Sequence, residues 1–109
     1  MSDIERNAEE AANKSRYSRE ADAKFLESAA KLAVLNAKIE SGVADGILEL
    51  SAQLTNVQNQ AETHLAAVKR RLKRLKDAED DSWQGEKRSL EDGWEELSRS
   101  IKNIVARIS

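Results

Sequence analysis

Cysteine and proline are missing from this chain, and aromatic residues make up 4% of it: one phenylalanine, one tyrosine and two tryptophans. Without cysteine there is no disulfide, no thiolate nucleophile and no thiolate metal site. Without proline no residue forces a helix to break, and the composition leaves little to favour strands. A charge excess of one sign is missing too, because 18 basic and 20 acidic residues leave a net charge of -2. No global field therefore marks nucleic acid or an anionic membrane as an obligatory partner. Apolar runs such as Leu32 to Leu35 fall far short of the roughly 20 residues that span a bilayer. The first residues, Met-Ser-Asp-Ile-Glu-Arg, lack a basic then apolar signal sequence, so the expectation is a soluble, cytoplasmic protein.

What is present is helix formers: Ala, Leu, Glu, Lys and Arg dominate, and 35% of the chain is charged. At 109 residues one helical unit is expected rather than two independent cores. The stretch Ile47 to Leu75 carries apolar residues at Ile47, Leu50, Leu54, Val57, Ala61, Leu65, Val68, Leu72 and Leu75, in steps of three and four that share one helical face. From Leu54 the pattern repeats after eleven residues, as a nearly straight packing seam does. Between Leu50 and Ala61 its other faces are uncharged (Ser51, Gln53, Thr55, Asn56, Gln58, Asn59, Gln60), which suggests neighbours on more than one side.

Ser2 and Glu5 have capping-box spacing, so a first helix starts near Asp3. Its first half has only a thin alanine stripe. From Phe25 to Ile39 more than half of its circumference is apolar (Phe25, Leu26, Ala29, Ala30, Leu32, Ala33, Val34, Leu35, Ala37, Ile39), more than a single partner helix would bury. Gly42 and Gly46, with Asp45 as a cap, read as a turn over residues 41–46. A continuous helix is the competing reading, since Val43 and Ile47 extend the stripe. Further on, the basic run Lys69, Arg70, Arg71, Lys73, Arg74 and Lys76 passes into the acidic run Asp77, Glu79, Asp80 and Asp81. Cations suit a helix C-terminus and anions the next N-terminus, which places a boundary there. Asp81 and Gln84 form another cap-like pair, and Trp83, Leu90, Trp94, Leu97, Ile101, Ile104 and Ile108 mark a third helix.

The fold expected is all-α: three long helices, about 3–41, 46–78 and 82–108, in an antiparallel bundle or elongated coiled coil. In that arrangement Phe25 and Leu97 both lie near His64. The expected core or interface residues are Phe25, Leu32, Leu35, Ile39, Leu54, Val57, Leu65, Val68, Trp94, Leu97 and Ile101.

No catalytic set, cofactor site or metal site is expected. His64 is the one histidine and lacks a Glu-x-x-His partner, since the neighbouring acid is Glu62; it reads as a layer residue at the core edge. The run Lys69 to Lys76, with Leu72 and Leu75 interleaved, has the form of an anion-contacting segment, opposed by the acids that follow it. Trp83 and Trp94 read as core-rim residues whose N–H groups need partners.

The segments Ser82-Trp83-Gln84 and Leu90-Glu91-Asp92-Gly93-Trp94-Glu95-Glu96-Leu97 resemble small bacterial coiled-coil proteins of unknown function, a likeness that covers about the last quarter of the chain. A more distant similarity is to exchangeable apolipoprotein helices, whose punctuating prolines are missing here. The first resemblance implies a small, helical, self-associating protein and transfers no site residue. Together these readings make the chain a non-enzymatic interaction module that pairs with its own copy, a dimer in the first instance, or with another amphipathic helix. The alternatives are a protein that opens to present its tryptophan stripe to a membrane surface, and a nucleic-acid-associated protein using residues 69–76.

Overall fold

A computed structural model describes residues 3–108, with side chains from Ala8 onward. The expected Ser2–Glu5 capping box lies outside the described side chains. Three helices, α1 (Asp3–Ala44), α2 (Ala52–Asp77) and α3 (Trp83–Ile108), run up, down and up in a rod of 65 × 18 × 18 Å. The fold is an all-α helical bundle.

Each helix end has a local cause. α1 stops at Gly46, which takes a positive φ of 74°. There the Gly46 N–H donates to the Val43 carbonyl at 3.1 Å and the Ile47 N–H to the Gly42 carbonyl at 2.8 Å. This is the Schellman pattern, which satisfies carbonyls that the helix would otherwise leave open. α2 starts where the Ser51 hydroxyl accepts from the Leu54 N–H at 3.0 Å. Arg74 and Lys76 occupy its last turn, where the helix dipole favours cations.

The structure corrects two expectations. α1 runs to Ala44 rather than 41 and α2 begins at Ala52 rather than 46, so the turn of residues 41–46 is in fact a loop over 45–51 capped by Ser51 and not by Asp45. Ile47 and Leu50 therefore lie off the α2 stripe, 78% and 59% exposed. Their spacing continued the stripe, but the Schellman stop and the Ser51 cap commit residues 45–51 to the connection. The longer loop also moves the register. Asp22 meets Lys76 and Asn36 meets Glu62, so the expected apposition of Phe25 and His64 is displaced by more than two helical turns.

α2 and α3 form the closest pair. Gly93, buried in α3, lets them approach: a Cβ there would lie 3.2 Å from a Val68 methyl and 2.9 Å from the Arg71 guanidinium. α1 runs alongside this pair and is 42 residues long against 26 for each of the others. The core comprises Ala21, Leu32, Leu35 and Ile39 of α1, Leu54, Val57, Ala61, Val68, Leu72 and Leu75 of α2, and Trp83, Leu90, Trp94, Leu97, Ile101 and Ile104 of α3. Burial of each large side chain contributes about 1.5–3 kcal/mol. Phe25 and Leu65 are half-buried at its margin.

The uncharged middle of α2 has neighbours on two sides only in part. Gln58 donates to Asn36 of α1 at 3.1 Å, and Gln53 accepts from Arg107 of α3 at 3.0 Å. Thr55, Asn56, Asn59 and Gln60 are exposed.

Candidate interaction surfaces

The first surface is the end of the rod where the charge changes sign. Lys14 donates to the Ala78 carbonyl and lies 3.7 Å from an Asp80 carboxylate oxygen. Lys76 Nζ pairs with Asp22 at 2.6 Å. The Trp83 indole N–H donates to Glu10 at 3.0 Å, so this tryptophan finds its polar partner across 73 positions of sequence. Its ring packs on Tyr17, with centroids 5.8 Å apart, and Lys87 lies over both rings at 5.1 and 5.9 Å. Burial in this cluster, followed by the neighbouring Glu91 carboxylate, pushes the Tyr17 phenol up to about 12. Lys24 sits 5.0 Å from the Trp94 ring centroid, roofing the same seam one step along. Opposite charges, a cation over aromatic rings and a buried indole N–H with a partner make this end self-satisfied.

The basic run is divided between two uses. Arg71 turns inward and donates to the Ser89 carbonyl at 3.1 Å, and Lys76 is held by Asp22. Lys69, Arg70, Lys73 and Arg74 are exposed and share the outward side of α2, with Asp77 one turn beyond. His64 Nδ1 lies 3.4 Å from Glu96 Oε2 on α3, half-buried at the core edge. Among the described residues no group of three or more His, Cys, Asp or Glu could hold a metal ion, and no helix is long and apolar enough to cross a membrane.

Between α1 and α3 lies a groove of about 270 Å³, lined among others by Lys24, Lys31, Trp94, Leu97, Ile101 and Lys102. Its floor residues Trp94, Leu97 and Ile101 are already buried. The groove is shallow, its margin set by lysines whose apolar stems can cover the seam.

The last surface is of a different kind. Opposite the core, α1 exposes Ala23, Leu26, Ala30, Ala33, Val34, Ala37, Ser41 and Ala44. All but Val34 follow steps of three and four, the spacing of a second packing stripe, and Val34 flanks it. Leu26 is 67% and Val34 54% exposed. The exposed large hydrophobic residues of the described chain are these two with Ile47, Leu50 and Val105. Ile47, Leu50 and Val105 lie at the end of the rod that carries the α1–α2 loop, Val34 lies midway along the bundle, and Leu26 lies one turn from Asp22, which pairs with Lys76 near the C-terminus of α2. Isolated exposed apolar residues are ordinary on a protein surface, whereas a continuous apolar stripe on a helix is what a partner covers.

Of the residues expected to form core or interface, Leu32, Leu35, Ile39, Leu54, Val57, Val68, Trp94, Leu97 and Ile101 are buried within the bundle. The apolar circumference of α1 therefore divides into an inner face, Leu32, Leu35 and Ile39, and the outer face centred on Leu26 and Ala33. Sequence reasoning passed over Tyr17, which lies off the alanine stripe and is fixed by contacts far away in sequence. It also passed over Gly93, for which a signal existed: a glycine inside a strongly periodic helix usually marks a close approach. Comparison of the chain with protein families, curated proteins and solved structures finds no match.

Proposed function

We propose that this protein is a non-enzymatic helical interaction module that binds by burying the outer face of α1 against another amphipathic helix. The observation that supports this reading is the exposed stripe from Ala23 to Ala44, with Leu26 and Val34 uncovered on the side of α1 away from the core. A helix needs one apolar face to join a bundle; α1 carries two. The inner face holds it to α2 and α3, and the outer one is available for recognition by the helix-packing mode. The membrane alternative fits less well. Trp83 and Trp94 are 2% and 8% exposed, so presenting them to lipid means pulling α3 out of the core. The exposed loop apolars Ile47 and Leu50 are flanked by Asp45 and Glu49, which an anionic surface repels.

The test is the double substitution Leu26→Glu with Val34→Glu in the full chain. Both sites are exposed, so helicity and thermal stability stay close to those of the parent. Association of the parent, with itself in light scattering or with amphipathic helical peptides in fluorescence anisotropy, is lost in the double variant. Association that persists in the variant places the working surface elsewhere.

A further inference from the structure

We infer that the occupant of the outer face of α1 is a second copy of the chain, laid antiparallel about a two-fold axis between Ala30 and Ala33. This rests on the reading of that face as a docking surface and adds the partner and its direction.

Shape supports the pairing. About this axis Ala30 faces Ala33 of the partner subunit, and Leu26 faces Ala37 of the partner subunit, each contact occurring twice. The bulkiest side chain of the stripe thus meets one of the smallest, and the alanines let the backbones come close. A two-fold contact is the commonest way in which one surface satisfies itself.

Charge selects the direction. α1 is the one helix with no basic residue in its last turn, whereas α2 has Arg74 and Lys76 there and α3 has Arg107. The negative end of the α1 dipole is thus left without a cation from its own last turn. An antiparallel mate brings Arg19, exposed in line with the stripe, to the partner's Ala44 and within about one turn of the partner's Glu40. On one flank Glu27 and Lys38, both exposed, fall opposite Lys38 and Glu27 of the second copy. On the other flank Asp22 approaches the partner's Glu40, but Asp22 is already held at 2.6 Å by Lys76, and Arg19 lies beside it. A parallel mate would set Arg19 against Arg19 in the seam and leave both C-terminal dipoles without a cation.

Area sets the strength. From Arg19 to Ala44 the helix is roughly 39 Å long at 1.5 Å per residue, and with a helix about 10 Å wide this covers roughly 400 Å² per copy. That is about half of the roughly 800 Å² per partner typical of a stable complex. The pair is accordingly a weak, reversible dimer that forms as concentration rises.

The native chain has no cysteine, so single thiols can report the geometry. Two full-length variants, Ala23→Cys and Ser41→Cys, are treated with a short bis-maleimide separately and as an equal mixture, over a range of protein concentration. In the antiparallel dimer residue 23 of one copy faces residue 41 of the other, while like positions lie some 18 residues, roughly 27 Å, apart along the helix. The mixture therefore gives at least tenfold more mixed than like-with-like product, and Leu26→Glu in both chains removes it. Like-with-like products in excess would overturn the direction, and products in the random proportion would overturn a specific pair. A strict monomer that still binds amphipathic peptides through Leu26 would overturn the second copy as occupant and leave the interaction reading in place. A monomer that binds neither would remove both.

Discussion

The two halves of the rod use similar helices and finish their surfaces differently. At the end that carries the 78–82 connection, features that would be costly alone have partners: Lys14 with Asp80, Lys76 with Asp22, the Trp83 N–H with Glu10, and Tyr17 under Lys87. From mid-bundle to the loop end the core is as well buried, with Leu32, Ile39, Leu54 and Ile104 inside, yet Val34, Ile47 and Leu50 stand in solvent, and the outer face of α1 carries the exposed stripe back to Leu26. The needs of the core do not explain the contrast, since charged side chains at Leu26, Ala30, Ala33 and Val34 would leave the buried face of α1 untouched. One end is closed by its own chain, while the outer face of α1 from Ala23 to Ala44 is left apolar, which is the pattern expected of a module with a docking face.

The largest effect that sharpens this contrast is at Trp83. It is 2% exposed and ties α1 to α3, so Trp83→Ala costs about 3–5 kcal/mol in denaturant unfolding. A loss near zero would mean that the closed end is not what holds α1 down.

Next is the titration of Tyr17, the single tyrosine, which ultraviolet absorbance can follow without overlap from another phenol. Its phenol is raised from the ordinary 10.0 to about 12 by burial and then by Glu91. The raised value means that the folded state holds the proton more tightly than the unfolded one. The contribution of Tyr17 to stability is complete below pH 10.0 and is lost between there and about 12 as the pH rises. Glu91→Gln moves the midpoint downward, and a midpoint at the ordinary value in the parent would mean that this cluster is open to water.

Two glycines then separate the halves by sign. Gly46 has a φ of 74° in the loop that ends α1, so Gly46→Ala costs about 1–2 kcal/mol in thermal or denaturant unfolding. Gly85 is exposed within α3, and a Cβ added to it would meet nothing within 4 Å. Gly85→Ala stabilises by about 0.5–1 kcal/mol, because alanine loses less conformational freedom in a helix. Equal effects at the two sites would contradict the helix boundaries.

Much of this architecture is legible in the sequence. The steps of three and four through Leu54, Val57, Val68 and Leu72, and again through Leu90, Leu97 and Ile104, place two helices and their buried faces. The reversal from Lys76 to Asp77 places the boundary between them. The excess of apolar circumference between Phe25 and Ile39 is visible as an excess, but only the positions of α2 and α3 divide it into an inner and an outer face. The 45–51 loop escapes because Ile47 and Leu50 happen to continue the spacing of α2, while the decisive facts are backbone ones: a left-handed Gly46 and a hydroxyl cap from Ser51. Tyr17 on Trp83 and Glu10 on the indole join residues 66 and 73 positions apart, and local periodicity carries no information at that range.

A docking face can be sought without any substitution by carbene footprinting of the native chain, read by mass spectrometry from low to high protein concentration. Labelling of the segment from Ala23 to Ala44 is expected to fall as concentration rises, most at Leu26 and Val34, while Tyr17 and Trp83 stay weakly labelled throughout. Labelling of that segment that is already low in the dilute chain and does not change, or protection that appears instead along α2 at Lys69 to Arg74, would contradict a docking face on α1.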